Sequence, residues 1–359
     1  MKKLLPDAKR VKFIGRTFMT GGVLWSALSG TGIEFIFEGK KLFVTLMADG
    51  IVGSDIESPD YARYAVYVDN RRVLDGMLDE KTKTIEILNL PSAVKAKVKI
   101  LKISECAMST MGISLIEINS KATLTPTPAK ARRIEFIGDS ITCGYGVDDE
   151  NELHNFKTST EDCTGAYAYK TAAALKADYS LVSVSGYGII SGYTGTGEEK
   201  IPEQTVPQYY KKLGFSYQKF GDTTAPQDIM WDFSRFVPDA VVINLGTNDD
   251  SYCLDHEDRQ REYSDEYKKF LSVVREENPY AHIFCTVGIM GERIFKALKT
   301  AVDEYKKETG DKNITTFCFT EQDSKNDGYA ADYHPTRKTH DKAALALTDL
   351  VREAMGWKD

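Results

Sequence analysis

Ser140 lies in Gly138-Asp139-Ser140-Ile141-Thr142-Cys143-Gly144-Tyr145-Gly146, directly after the short apolar run Ile134-Glu135-Phe136-Ile137. A serine carried out on a Gly-flanked turn at the end of a buried strand is placed as a nucleophile. Two later runs end in the same manner. Tyr179 to Val184 leads into Ser185-Gly186-Tyr187-Gly188, and Pro238 to Leu245 leads into Gly246-Thr247-Asn248-Asp249. A hydroxyl, bare backbone amides and a side-chain amide together suit acyl transfer, in which an attacked carbonyl oxygen becomes an anion that needs donors. The backbone N–H groups of Ser140 and Gly188 and the side chain of Asn248 are the candidate donors, with Gly186 as the alternative to Gly188. Asp139 reads as a hydrogen-bond partner of its own turn, Asp249 as a residue that orders the turn around Asn248, and Cys143 as packing.

A serine nucleophile needs a base, and the chain holds five histidines. His282 opens an apolar strand, His256 lies among acidic residues, His154 sits in a long polar loop and His340 lies near the start of the last helix. His334 differs, since Asp332-Tyr333-His334-Pro335-Thr336 places it in a loop stiffened by proline, with a carboxylate two residues away. A carboxylate on the far ring nitrogen would fix the tautomer and stabilise the imidazolium.

The elements that must hold these residues fall into two patterns. Residues up to about 125 carry short runs that alternate at period two, such as Gly32 to Glu38, Leu42 to Leu46, Tyr64 to Val68, Thr84 to Leu88, Ala96 to Ile103 and Gly112 to Ile118. Turn residues separate them and no helix pattern interrupts them, which predicts an antiparallel sandwich such as a jelly roll. Thr123-Leu124-Thr125-Pro126-Thr127-Pro128-Ala129-Lys130 reads as a linker, so the domains are expected at 1–125 and 126–359. Beyond it strands alternate with helices: helices over Gly165 to Leu175, Asp258 to Glu277, Glu292 to Thr309 and Thr339 to Met355, and strands over Ala281 to Val287 and Asn313 to Phe319. That alternation predicts a parallel sheet covered on both faces, with the three turns meeting at one edge.

Composition excludes several classes. The formal net charge of −7 argues against a nucleic-acid partner. The six cysteines form no CxxC pair, which argues against zinc, and buried free thiols are expected. Neither a membrane span nor an adequate apolar signal core is present, since Pro6, Asp7 and Lys9 interrupt the N-terminal segment, so a soluble cytoplasmic protein is expected. Self-association is left open.

In this order, Gly138-Asp139-Ser140-Ile141, Gly188, Gly246-Thr247-Asn248-Asp249 and Asp332-Tyr333-His334-Pro335 resemble the sequence blocks of the SGNH (GDSL-like) hydrolases. With the β-rich segment ahead, the chain looks like the two-domain acetyl esterases of carbohydrate esterase family 2. The resemblance implies an N-terminal jelly roll joined to a three-layer α/β/α SGNH domain, no metal or cofactor, and acetylated carbohydrate as partner. The implied activity is removal of O-acetyl groups from plant polysaccharides or oligosaccharides such as xylan. Ser140 and His334 are implied as catalytic, and Ser140, Gly188 and Asn248 as the oxyanion hole. The superfamily usually sets its aspartate three residues before the histidine, where this chain has Ala331. Asp332 is therefore one expectation, and a Ser140–His334 dyad oriented by a backbone carbonyl is the other. Tyr145, Tyr187 and Trp231 are the aromatic candidates for stacking on a sugar. A thioesterase or lipid-type esterase on the same site, and an inert carbohydrate-binding protein, are the alternatives.

Overall fold

The computed structural model describes residues 1–358 and separates into two compact units. The first comprises Met1–Ala129 with two later segments, Lys157–Glu161 and Lys212–Trp231. The second comprises Lys130–Phe156, Asp162–Lys211 and the chain from Asp232 onward.

The first unit is one ten-stranded sheet in which every pairing is antiparallel, an all-β domain of jelly-roll type. Two long strands, Thr31–Ala48 and Thr82–Lys102, run through it side by side. Register shifts between Gly39 and Lys41 and between Leu42 and Phe43 mark irregularities of the kind that bend a strand. The first half of Thr31–Ala48 pairs with Thr123–Pro126, and the second half with Met111–Ile118. Alternation buries Ile33, Phe35 and Phe37 in the first half and Leu42, Val44 and Leu46 in the second, all in one core cluster. Three expectations change here. Gly32 to Glu38 and Leu42 to Leu46, expected as separate strands divided by a turn at Gly39-Lys40-Lys41, are the two halves of Thr31–Ala48. Thr84 to Leu88 and Ala96 to Ile103 belong to a single strand that passes through Pro91. The missing N–H costs nothing there, because Leu90 to Ala93 fall in the gap between paired stretches. Thr123–Pro126, read as linker, is a strand whose extended backbone pairs with Phe35–Glu38.

The later segments join this unit through named contacts. Thr158 N–H donates to Asp60, Glu161 accepts from the Glu105 amide at 2.6 Å, and Tyr217 N–H donates to the Ala107 carbonyl. Phe220 stacks on Trp25.

The second unit is a five-stranded parallel sheet in the order Asp178–Ser183, Arg133–Gly138, Ala240–Asn244, His282–Val287, Ile314–Cys318. Its first strand in sequence thus lies between the second and the third. That reversal is the switch point where α/β sheets open a crevice at the strands' carboxyl ends. Residue types explain the strands: Ile134, Phe136, Ile137 and Ala240 to Ile243 are fully buried, as strands covered on both faces require. Helices Tyr167–Ala174 and Arg337–Met355 pack together, as do Glu257–Glu277 and Phe295–Thr309, completing the three-layer α/β/α arrangement. Gly310 ends the Phe295–Thr309 helix in the left-handed conformation, as its position suggested. All six cysteines are free, and no helix among the described residues is long and apolar enough to cross a membrane.

Gly138, last in the central strand, is where the sheet hands over to the Ser140 turn. A Cβ there would overlap Thr142 Oγ1, which is bonded to Tyr167 Oη at 3.0 Å. Gly138→Ala is expected to destabilise the protein by about 1–3 kcal/mol, the usual cost of overpacking, and to displace the nucleophile turn. Urea denaturation reads the first effect, and a crystal structure of the variant reads the position of the Ser140 turn.

Candidate active site

The Ser140 turn is a single helical turn, Ser140–Cys143, capped at both ends. The Asp139 carboxylate accepts from Ile141 N–H at 3.0 Å, and Gly144 at φ 77° closes it by donating to the Ser140 carbonyl. Gly144 must lack a side chain, because a Cβ would run into the Asp162 backbone. Ser140 Oγ lies 3.0 Å from His334 Nε2. His334 Nδ1 lies 3.1 Å from the main-chain oxygen of Asp332. A carbonyl can only accept, so Nδ1 carries the proton and Nε2 offers its lone pair to the Ser140 hydroxyl. Burial disfavours the imidazolium and lowers the His334 pKa to about 4, while the Asp332 carbonyl and carboxylate pull it back upward.

The Asp332 carboxylate does not touch the histidine ring. Asp332 and Tyr333 both adopt left-handed backbone, at φ 50° and 60°. This aims the Asp332 carbonyl at His334, and the carboxylate instead accepts from Tyr145 Oη and from Phe156 N–H at 2.9 Å. Of the two sequence expectations, the geometry has the carbonyl on Nδ1. Consecutive left-handed residues with side chains are strained, and five hydrogen bonds hold them. Ala330 N–H donates to the His334 carbonyl, Ala331 N–H to Asp149, Asp332 N–H to His154, His334 N–H to Ala331, and Gln322 Nε2 to the Tyr333 carbonyl. Ala331 packs on Gly146, where a Cβ on the glycine would come within 2.7 Å of the alanine's.

Asn248 Nδ2 donates to the Tyr187 carbonyl at 3.0 Å and lies 3.4 Å from Asp139 Oδ2, at the edge of hydrogen-bond range. Gly188 requires a correction. Its N–H donates to Gln204 O at 3.2 Å, and a Cβ there would overlap Ser191 O and the Asp249 carboxylate. Glycine is needed at 188 for close approach, and its amide is committed elsewhere. Gly186, at φ 78°, has open space around it, and neither its N–H nor that of Ser140 has a partner among the described residues. Asp249 fixes this loop more than its own turn, because it collects the consecutive amides of Ile189, Ile190 and Ser191 at 2.7–3.2 Å. Full burial raises its pKa to about 6 against those donors. Burial likewise raises Asp139 to about 7, opposed by Ile141 N–H and reinforced by Asp249.

The three nominated aromatics serve elsewhere than on an open surface. Tyr145 lies between His334 and Phe156 with ring centroids 3.8 and 4.7 Å away. Tyr187 is buried, packs against Tyr209 and contributes its carbonyl to Asn248. Trp231 belongs to the first unit, only 6% exposed, with the Arg16 guanidinium over its ring. Sequence reasoning missed two exposed rings in the second unit. Tyr333, 52% exposed, directly precedes His334, and Tyr193, 61% exposed, donates its amide to the Gly186 carbonyl. Their positions beside the catalytic motifs were the available signal.

A serine and a neutral histidine in hydrogen-bond contact at the switch point of a parallel α/β sheet define a serine hydrolase. Residues 136–342 match the GDSL-like Lipase/Acylhydrolase family and residues 13–128 match the Carbohydrate esterase 2 N-terminal domain, so the chain belongs to the GDSL-like lipase/acylhydrolase family. It is 29% identical over 335 residues to the Cellulase/esterase CelE of Acetivibrio thermocellus, a match spanning 92% of this chain but only 38% of that protein. It is also 29% identical over 334 residues to an Acetylxylan esterase / glucomannan deacetylase of Cellvibrio japonicus, spanning 90% and 86%. A family two carbohydrate esterase from Clostridium thermocellum, solved with cellohexaose, superposes with a TM-score of 0.81 at 28% identity over 97% and 100% of the two chains. An acetyl xylan esterase of Butyrivibrio proteoclasticus shares the fold, with a TM-score of 0.87 at 21% identity over the whole of both chains.

The two buried carboxylates link stability to pH. Asp139 holds its proton up to about pH 7 when folded, whereas an unfolded aspartate loses it near pH 4. Its favourable contribution is complete below about pH 4 and is lost as pH rises to about 7. Asp139→Asn is expected to flatten the fall in stability across that window. Denaturant midpoints at several pH values measure the slope, and an unchanged slope would remove Asp139 as its source.

Proposed function

We propose that this chain is a serine acetyl esterase that removes O-acetyl groups from plant polysaccharides or their oligosaccharides, with acetylated xylan as the leading substrate class. The observation that carries the reading is the contact of Ser140 Oγ with His334 Nε2, whose far nitrogen is occupied by the Asp332 carbonyl. The names of the relatives, acetylxylan esterase and glucomannan deacetylase among them, support the substrate class.

The geometry derives the steps. His334 Nε2 takes the Ser140 proton as Oγ attacks the acetyl carbon. The carbonyl oxygen gains the negative charge and is met by the Ser140 and Gly186 amides and by Asn248 Nδ2, which exchanges its long contact to Asp139 for a shorter one. Collapse breaks the ester bond, and the imidazolium returns its proton to the departing sugar oxygen. A water then gives a proton to His334 and attacks the acetyl-serine, and acetate leaves with Ser140 restored. Tyr333 and Tyr193 offer apolar ring faces of the kind that stack on pyranose rings.

Acetate release from acetylated xylan tests the reading. Ser140→Ala is expected to abolish it, and Asn248→Ala to lower kcat about 100- to 1000-fold. A Ser140→Ala protein releasing acetate at the native rate would end the proposal. Tyr333→Ala is expected to raise KM for acetylated oligosaccharides several-fold and leave KM for p-nitrophenyl acetate unchanged. Equal effects on the two substrates would remove the ring from sugar binding.

A further inference from the structure

The carboxylate that fails to reach the histidine nitrogen is not idle. Asp332 Oδ2 accepts the hydroxyl of Tyr145 at 2.5 Å, and the ring of that tyrosine lies flat against the imidazole, with centroids 3.8 Å apart and planes 19° from parallel. Phe156 backs the far side of the tyrosine, and its amide donates to the same Asp332 oxygen. Asp332 therefore meets His334 twice, once in the ring plane through its carbonyl at Nδ1 and once on the ring face through a bound phenol.

His334 is neutral at rest and cationic once it has taken the Ser140 proton. A serine–histidine site has to stabilise that cation, and a carboxylate on Nδ1 does so in a Ser-His-Asp triad. A carbonyl supplies a dipole without a net charge. The negative face of an aromatic ring attracts a cation lying on it. A phenol that donates its proton to a carboxylate is richer in electrons, and carries that attraction further. We propose that Tyr145, gripped and polarised by Asp332, is a positioning residue that stabilises the His334 imidazolium from its face, in place of a carboxylate at Nδ1. The proposal rests on the Ser140–His334 esterase reading.

The surroundings of the ring leave this role to one charge. His334 faces Ser140 at Nε2, the main chain of Ala331 and Asp332, and Tyr145 on its face. His340, a neighbouring ionisable ring, is fully buried, and burial holds it neutral with a pKa near 3. Among the described residues the Asp332 carboxylate is the charged side chain that acts on the His334 ring, and it favours the protonated form.

The test is the pH dependence of kcat/KM for p-nitrophenyl acetate in the native protein, Tyr145→Phe, Tyr145→Leu and Asp332→Asn. The plateau is expected to fall by about 2- to 30-fold, the range a cation–π contact supplies, with leucine below phenylalanine. The acid limb is expected to move to lower pH in each variant, since the imidazolium loses its support. Tyr145→Phe combined with Asp332→Asn is expected to cost no more than the larger single change, because the two act in series. An NMR titration of the His334 ring in the same proteins reads the same downward shift without turnover. Native rates and an unmoved acid limb would overturn the proposal, and so would a reduced rate with the limb in place, which is what loss of packing alone produces. If the native protein turns over no ester, or Ser140→Ala changes nothing, the esterase reading fails instead, and the NMR titration still decides the stacking on its own.

Discussion

The site depends on one hydrogen bond, from His334 Nδ1–H to the main-chain oxygen of Asp332. It fixes the tautomer, and the tautomer decides whether Ser140 faces a base or a competing donor. A carbonyl two residues earlier in the chain can reach Nδ1 only if the backbone reverses sharply, which is why Asp332 and Tyr333 sit in left-handed conformations that ordinary residues avoid. The neighbourhood exists to hold that reversal. Asp149 and His154 accept its amides, and Arg337 ties the adjoining loop down through Asp148 and the buried Asp162. The loop over residues 144–156 thus supports the base, through its backbone carbonyls and through the Tyr145 ring stacked on His334.

The oxyanion side follows a different logic. Asp139 and Asp249 are both fully buried, and neither has a cationic partner among the causes that set its pKa. Each is satisfied by backbone amides, which fix direction without bringing charge. Asp249 gathers three amides in succession and so sets the path of the loop that presents Gly186. Asp139 ties the nucleophile turn to Asn248 by a long contact that can be given up when a better acceptor arrives. Burial raises both acids, Asp139 to about 7 and Asp249 to about 6, and so weakens their negative charge relative to exposed carboxylates.

Most of the scaffold was readable because its burial is periodic. Alternation exposed the buried face around Phe35 and Val44, which proved to be one strand, and strand–helix alternation exposed the parallel sheet that brings Ser140, Asn248 and the Gly186 loop to one edge. Ser140 and His334 were readable from residue type and motif order, and the geometry brings them to 3.0 Å. The errors arose where direction matters more than spacing. Thr84 to Leu88 and Ala96 to Ile103 looked like separate strands, yet one strand runs through both, with Pro91 where the ladder has a gap. Gly188 looked like an amide donor, but its lack of a side chain serves the Asp249 carboxylate. Asp332 had a suitable side chain one residue nearer His334 than the superfamily's usual aspartate, and two unusual backbone angles aim its carbonyl, not its carboxylate, at the ring. Lys157–Glu161 and Lys212–Trp231 carry no composition signal that sends them to the first unit. Their membership rests on specific hydrogen bonds and on Phe220, which stacks on both Phe18 and Trp25.

Ala331 shows why the departure from a side-chain triad is built in and not a local accident. Ala331 packs against Gly146, where only a residue without a side chain fits and whose own left-handed turn leads the chain from Tyr145 toward Asp149. Moving Gly146 would disturb Tyr145, the ring stacked on His334, and the carbonyl that holds Ala331 in place. Burial disfavours the imidazolium and sets the His334 pKa near 4, below the ordinary histidine range near 6.5, so Nε2 keeps its lone pair at neutral pH.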